Sequence, residues 1–324
     1  MRVFINGFGR IGRSVLRAWA QSPESWPGLE VAGINDIAAA DMCAYLFQYD
    51  SVFGPWRGSV GLSPGALLVD GRSIPLNRTP DISALDLSSV DVVLECTGRA
   101  DTLDVASRGI GAGARRILIS GPSQAAELTV VLGANDEKLA GQTIISNASC
   151  TTNALAPLVK LLHQNWGIVA GSMTTIHCYT GSQPTTDAPA TDYARSRAAA
   201  LSMVPTTTSA KRLLDMVLPE ISGRIEASAV RVPTASVSAV ELAVMLALVP
   251  NLAEVNSALR EAGGVIGSTD GPLVSSDLRA RPESIIMAIP ETRLTQGGLL
   301  RVFGWYDNEW GFSNRMLDVA LRLG

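Results

Sequence analysis

Up to about residue 146 the apolar residues fall in short, nearly continuous blocks separated by stretches of helical spacing. Residues 2–6 (Arg2-Val-Phe-Ile-Asn6) form the first block. Those at 29–35, 90–95, 116–120, 128–132 and 143–146 are likewise short, β-branched and bounded by turn residues, so each reads as a buried strand. After the first strand, Ile11, Val15, Leu16 and Trp19 make one apolar stripe at helical spacing. Alternation of this kind predicts an α/β domain with a parallel, doubly wound sheet. Beyond residue 150 the pattern changes. A helix is expected at 155–166, and longer strands at 172–179, 225–234, 239–249 and 299–306 follow without helices regularly between them. Such a segment suits an α+β domain, a mostly antiparallel sheet covered on one face by helices such as 252–262. Residues 312–323, with Phe312, Met316, Val319, Ala320 and Leu323 on one stripe, read as a terminal helix docking back on the first domain. The expected division is 1–149, 150–310 and 311–324. Residues 181–198, rich in Pro, Thr, Ser and Asp, form a long loop of the kind a compact domain keeps for a function.

A chain of 324 residues exceeds what one hydrophobic core usually organises, in agreement with two domains. With 47% hydrophobic and 17% charged residues, disorder is excluded and buried sheets are favoured. The 26 Lys and Arg against 30 Asp and Glu give a net charge of −4, and no basic stripe runs along the chain, which argues against nucleic acid as a partner. No apolar run reaches membrane-spanning length, and the chain enters its first strand without room for a signal peptide, so a soluble cytoplasmic protein is expected. Cys43, Cys96, Cys150 and Cys178 lack paired spacing or a histidine cluster, so neither a metal site nor a disulfide framework is expected.

Gly7-x-Gly9-x-x-Gly12 follows a strand and opens a helix, the context in which this spacing binds a dinucleotide. Gly7 makes the tight turn, Gly9 admits a diphosphate to the backbone, and Gly12 lets helix and strand pack, so the domain reads as a Rossmann fold. Phe8, Arg10 and Ile11 belong to the same turn. Asp36 ends the second strand, where a carboxylate can bind both ribose hydroxyls and repel a 2′-phosphate, pointing to NAD. The alternative for Asp36 alone is a capping role. Thr97 and Gly98 (in Cys96-Thr97-Gly98) and Ser120 end two further parallel strands and should line the crevice; Cys96 reads as a packed apolar residue.

Cys150 follows a strand and opens a helix, where free N–H groups and the helix dipole lower a thiol's pKa and suit an oxyanion. By itself a cysteine there is more often inert than catalytic. Of the two histidines, His177 lies in an apolar strand, whereas His163, followed by Gln and Asn, reads as a surface residue.

Ser146-Asn-Ala-Ser-Cys-Thr-Thr-Asn153 and Thr174-Thr-Ile-His-Cys-Tyr-Thr180 stand in order with Ile5-Asn-Gly-Phe-Gly-Arg-Ile-Gly-Arg13, Glu95-Cys-Thr-Gly98, Arg197-Ala-Ala-Ala200, Arg231-Val-Pro-Thr234 and Trp305-Tyr-Asp-Asn-Glu-Trp-Gly-Phe312. From end to end the chain resembles the phosphorylating glyceraldehyde-3-phosphate dehydrogenase family. That resemblance implies a homotetramer and oxidative phosphorylation of glyceraldehyde 3-phosphate to 1,3-bisphosphoglycerate with NAD reduction. It assigns Cys150 as the nucleophile that forms a hemithioacetal and then a thioester, and His177 as its acid/base partner. It also implies Thr180 and Arg231 at the substrate phosphate, and Ser149, Thr151, Arg195, Thr208 and Ser209 around substrate and inorganic phosphate. Asn308 is matched to the nicotinamide carboxamide, Arg78 to the cofactor, and the 181–198 loop to a neighbouring subunit's cofactor site.

Ala154 stands where the family often has a second cysteine, Ser182 where Asp is usual, Ser236 where Asn is usual, and Ser209 where Gly is usual. These departures bear on substrate and phosphate handling. Competing readings are the hydrolytic relative erythrose-4-phosphate dehydrogenase, which usually lacks the Tyr179-Thr180 pair, and a non-catalytic binding paralogue, against which intact Cys150, His177 and Asn308 argue.

Overall fold

The computed structural model of the chain describes residues 1–324, and internal contacts divide it into two units. The first comprises residues 1–130, 136–148 and 312–324. In it β1 (Arg2–Asn6), α1 (Arg10–Gln21), β2 (Glu30–Asn35) and α2 (Ala40–Gln48) precede β3 (Val60–Ser63), β4 (Ala66–Val69) and β5 (Arg72–Asn77). Then come β6 (Val92–Glu95), α3 (Leu103–Ala106), α4 (Arg108–Gly111), β7 (Arg116–Ile119), β8 (Leu128–Thr129) and β9 (Ile144–Ser146). These strands form one nine-stranded sheet in the order β3-β4-β5-β2-β1-β6-β7-β9-β8. Every pairing from β5 to β8 is parallel, and only the β3-β4-β5 edge is antiparallel. Val3, Ile5, Ile34, Val92, Leu94, Ile117 and Leu118 are all buried, as strands covered on both faces require. The antiparallel edge is absent from the sequence reading because Gly61, Gly65, Gly71 and Pro75 break the alternation on which strand recognition depends. Chain order reverses between β1 and β6, which places a ligand crevice beyond their carboxyl ends.

The second unit comprises residues 131–135 and 149–311. Its elements are α5 (Cys150–Trp166), β10 (Ile168–Cys178), β11 (Val204–Thr206), α6 (Ala210–Val217), β12 (Ile225–Val232), β13 (Ser238–Leu246), α7 (Leu252–Glu261), β14 (Ile266–Thr269), β15 (Ile285–Ala288), β16 (Arg293–Leu294) and β17 (Leu299–Tyr306). The sheet runs β11-β12-β10-β13-β17-β15-β14, with β16 beside β17; β10–β12 and β14–β15 are parallel and the rest antiparallel. The last helix, α8 (Trp310–Leu323), counts with the first unit from Phe312 onward: Asp318 accepts from Trp26 Nε1 at 2.6 Å, and Arg322 pairs with Asp136.

Helix α5 opens at Cys150, as expected, and runs into the 155–166 stretch; the Ser149 hydroxyl accepts from the Thr152 N–H at 3.1 Å and caps it. It is buried without a break from Thr151 to Val159, so this stretch is enclosed on all sides, with Thr151, Thr152 and Asn153 as its polar members. At its far end His163 Nδ1 accepts from the Ile168 N–H at 3.0 Å, so this histidine ties α5 to β10 rather than standing free on the surface. Helix α7 starts with a reciprocal box in which Asn251 accepts from the Glu254 N–H at 2.9 Å and Glu254 from the Asn251 N–H at 3.1 Å. No helix is long and apolar enough to cross a membrane.

Candidate active site

In the first unit the glycine turn is built as its spacing demands. Gly7 has φ +92°, and a Cβ there would lie 2.8 Å from the backbone of Cys96 and Thr97. A Cβ on Gly12 would stand 2.1 Å from the Gly7 carbonyl oxygen, so only glycine lets α1 start this close to β1. A Cβ on Gly9 would meet nothing within 4 Å. That open space lies at the positive end of α1, beside a cavity of about 430 Å³ lined by Gly7, Gly9, Asp36 and Thr97 among others. The residues present therefore fit a dinucleotide. Asp36 accepts from the N–H groups of Phe8 at 2.6 Å and Ala38 at 2.8 Å, which orients its carboxylate at the cavity wall. Arg10 is paired with Asp50, and Arg78 donates to the Ile37 carbonyl at 2.9 Å. Gly98, with φ +70°, follows Thr97 after β6, and Ser120 follows β7 with its N–H on the Glu95 carbonyl at 2.9 Å.

In the second unit, strand register assembles the candidate reacting groups. Parallel pairing of β10 with β12 sets His177 opposite Arg231, and antiparallel pairing of β13 with β17 sets Ser238 opposite Tyr306. Cys150 is the first residue of α5, and its Sγ lies 3.6 Å from His177 Nε2. Burial raises the Cys150 thiol, against the opposing pull of the Arg231 charge and of hydrogen bonds from Thr151. The lowering expected from the helix end alone is thus outweighed by desolvation in the free protein. Burial and then Arg231 push the His177 imidazolium down to about 4, partly opposed by the Cys178 carbonyl that Nδ1 contacts at 2.7 Å. At neutral pH the ring is uncharged and able to accept a proton.

Arg231 Nη1 donates to the Cys178 carbonyl at 3.0 Å, lies 3.0 Å from His177 Nδ1 and reaches Thr180 Oγ1 at 3.4 Å. Ser182 Oγ meets Thr180 Oγ1 at 2.9 Å, so the residue in the usual Asp position extends this cluster without adding charge. A second polar cluster gathers at β11 and the start of α6. Arg195 donates to Thr206 Oγ1 at 2.6 Å and Thr207 Oγ1 at 3.2 Å, and Thr208 Oγ1 accepts from the Ala210 N–H at 3.1 Å. Ser209 precedes α6 with helical φ −75° and makes no capping bond with its side chain. The loop at 181–198 is tied within itself: Asp187 accepts from Arg197 Nε at 2.8 Å and from the Ala198 N–H at 2.9 Å.

A family model described as the NAD binding domain of glyceraldehyde 3-phosphate dehydrogenase matches residues 1–103, and one described as the C-terminal domain of the same enzyme matches residues 149–308. The chain belongs to the glyceraldehyde-3-phosphate dehydrogenase family. It is 46% identical to the glyceraldehyde-3-phosphate dehydrogenase of Pseudomonas aeruginosa, covering 100% of this chain and 98% of that protein. Identity to the Xanthobacter flavus enzyme is 43% with the same coverage, and to glyceraldehyde-3-phosphate dehydrogenase 1 of Bacillus subtilis 41%, covering 99% and 97%.

Three further residues named from the sequence, Thr151, Ser236 and Asn308, are buried. Thr151, expected near substrate, is buried with its hydroxyl 2.9 Å from Tyr306 Oη, which also meets Thr175 Oγ1 at 2.8 Å. Tyr306 thereby links the first turn of α5 to β10, and its ring stands edge-on to His177 with centroids 6.0 Å apart. Ser236, in the usual Asn position, is buried and its hydroxyl has no partner. Asn308 is buried with Oδ1 accepting from the Cys178 thiol at 3.0 Å. Around the cofactor cavity the sequence reading overlooked Asn6, Asn35 and Glu95. Asn35 donates to Asn6 Oδ1 at 2.9 Å, and Asn6 to Glu95 Oε2 at 2.5 Å, a buried chain across the ends of β2, β1 and β6. Their signal was available: each is the polar residue that ends the apolar run of its strand.

Proposed function

We propose that this protein is an NAD-dependent phosphorylating dehydrogenase of glyceraldehyde 3-phosphate, with Cys150 and His177 as its reacting pair. The reading is carried by one observation, the 3.6 Å approach of Cys150 Sγ to His177 Nε2 beside Arg231 and Thr180, in a chain of this family. Cys150 Sγ forms a bond to the aldehyde carbon, and His177 takes the thiol proton and steadies the resulting hemithioacetal oxygen. NAD, when bound, supplies the acceptor for the hydride that leaves that carbon. The thioester left on Cys150 is attacked by inorganic phosphate; the C–S bond breaks, the acyl phosphate departs, and the thiol regains its proton from His177. Thr180 and Arg231 hold the substrate phosphate, while Ser149, Arg195, Thr208 and Ser209 hold the attacking phosphate, because arginine forks and hydroxyls suit phosphate oxygens. Asp36 selects NAD over its 2′-phosphate, and Asn308 holds the nicotinamide carboxamide. Residues 1–149 are the cofactor domain, 150–310 the catalytic domain and 311–324 a returning helix.

A homotetramer in the cytoplasm completes the reading. Half-buried Ile176, Phe303 and Trp305 on the sheet face away from α5, with Tyr193 at 92% and Leu201 at 84% exposure on the neighbouring loops, support a second copy as cover. The deciding experiment measures NADH formation from glyceraldehyde 3-phosphate and erythrose 4-phosphate, each with and without inorganic phosphate. Phosphate-dependent steady turnover of the first substrate is expected. Full steady turnover without phosphate, yielding free acid, would overturn the reading in favour of the hydrolytic relative.

A further inference from the structure

Cys178 has no part in the chemistry above, yet it sits one residue from the base, fully buried, with its thiol on a functional amide. Four contacts tie it to Asn308 and Ser238. Cys178 Sγ donates to Asn308 Oδ1 at 3.0 Å; the Ser238 hydroxyl lies 3.4 Å from both Sγ and Oδ1; and Ser238 Oγ accepts from the Cys178 N–H at 3.1 Å. Ser238 Oγ already accepts there, so its own proton is directed at the sulfur or at Oδ1. An asparagine amide presents an acceptor on one side and a donor on the other, and its direction follows from what surrounds it. Here the thiol gives its proton to Oδ1, and Ser238 backs the pair by giving its own to the sulfur or to Oδ1. They hold Oδ1 inward, so Nδ2, the donor, is the group Asn308 has left to offer. Burial pushes the Cys178 thiol up to about 12, which keeps it protonated at any working pH and disqualifies it as a rival nucleophile.

We propose that Cys178, seconded by Ser238, is a positioning residue that fixes the Asn308 carboxamide with its N–H₂ outward, to donate to the carbonyl of the nicotinamide carboxamide. This rests on the reading of Asn308 as the group that holds that carboxamide. The test compares equilibrium binding of NAD with binding of ADP-ribose, which keeps the diphosphate and ribose but lacks the nicotinamide. Titration calorimetry on the unmodified protein and on Asn308→Ala, Cys178→Ala, Cys178→Val and Cys178→Ser provides the readout. Asn308→Ala should weaken NAD about tenfold and leave ADP-ribose unchanged. Cys178→Ala and the better-filling Cys178→Val should weaken NAD roughly three- to tenfold, again sparing ADP-ribose, while Cys178→Ser, which keeps a donor, should bind within about twofold of wild type. A general packing defect would lower both affinities and would not be rescued by serine, which would overturn the proposal. So would wild-type NAD affinity in Cys178→Ala and Cys178→Val where Asn308→Ala has lost it. If Asn308→Ala itself shows no loss specific to NAD, the underlying reading of Asn308 fails first, and the role of Cys178 falls with it.

Discussion

The two polar centres of this chain are made of different material. The glycine turn at Gly7, Gly9 and Gly12 is a backbone device: what matters is where side chains are missing, and its parts lie within six residues of one another. The Cys150–His177–Arg231 cluster is a side-chain device, assembled from a helix start and two strands by the register that sets His177 opposite Arg231. A backbone device should fail sterically, losing fold and ligand together. A side-chain device should fail chemically, losing rate while the fold survives.

The largest expected effect is chemical. Cys150→Ala should lower steady-state NADH formation by more than about a thousandfold, since nothing else in the cluster can form the covalent bond. NAD binding should persist, because Cys150 is no part of the glycine turn. Loss of NAD affinity on titration would mean that the two devices are not separable in this way.

The next contrast lies inside the backbone device. Gly12→Ala puts a Cβ 2.1 Å from the Gly7 carbonyl oxygen, backbone that cannot yield, and should destabilise the protein by about 3 kcal/mol or more. Gly9→Ala puts a Cβ into open space and should leave the thermal transition nearly unchanged while weakening NAD. Melting curves and NAD titrations on both variants decide the matter. Equal destabilisation by the two would show that Gly9 serves packing and not a ligand.

His177→Asn should lower turnover by about a hundredfold, the usual scale for losing a general acid and base. It should also change stability with pH in a fixed direction. Burial and Arg231 hold the folded-state pKa near 4, below the unfolded value of about 6.5, so the unfolded chain binds the proton first. The neutral ring's contribution is therefore fully present above pH 6.5 and is lost as pH falls toward 4, by about 3 kcal/mol in all. Denaturant melts of wild type and variant between pH 7 and pH 4.5 should converge as the medium is acidified. Parallel curves would contradict a buried, neutral His177.

The two devices also differed in legibility. The turn at Gly7, Gly9 and Gly12 could be read because it is local and spacing alone encodes it. The parallel core could be read because strands such as 90–95 are continuous apolar runs. Arg231 beside His177 depends on a pairing across 54 residues, which spacing does not encode; only resemblance to a family pointed to it. Tyr306, Cys178 and Ser238 escaped altogether, because a Tyr, Cys or Ser within an apolar strand looks like ordinary filling until the register shows what it faces. The β3-β4-β5 edge escaped for the opposite reason, its glycines and proline erasing a periodicity the fold does not need there.

Ser209 offers the smallest effect and the finest test, because it lies where a backbone device and a side-chain device meet. The start of α6 offers N–H groups to an anion, Arg195 and Thr208 offer side chains nearby, and the family usually has glycine where Ser209 stands. With φ at −75° the position imposes no need for glycine on conformational grounds. Any benefit of glycine must then come from letting phosphate approach the backbone more closely. Ser209→Gly should lower the phosphate concentration for half-maximal NADH formation by about two- to threefold, at little cost in stability, since glycine is tolerated before a helix. Arg195→Ala should raise that concentration by about tenfold, the worth of a charge-assisted hydrogen bond. Initial rates against phosphate, at saturating aldehyde and NAD, give both numbers. If Ser209→Gly raises the requirement instead, the serine hydroxyl is itself a phosphate ligand, and the side-chain device extends one residue further than the backbone geometry implies.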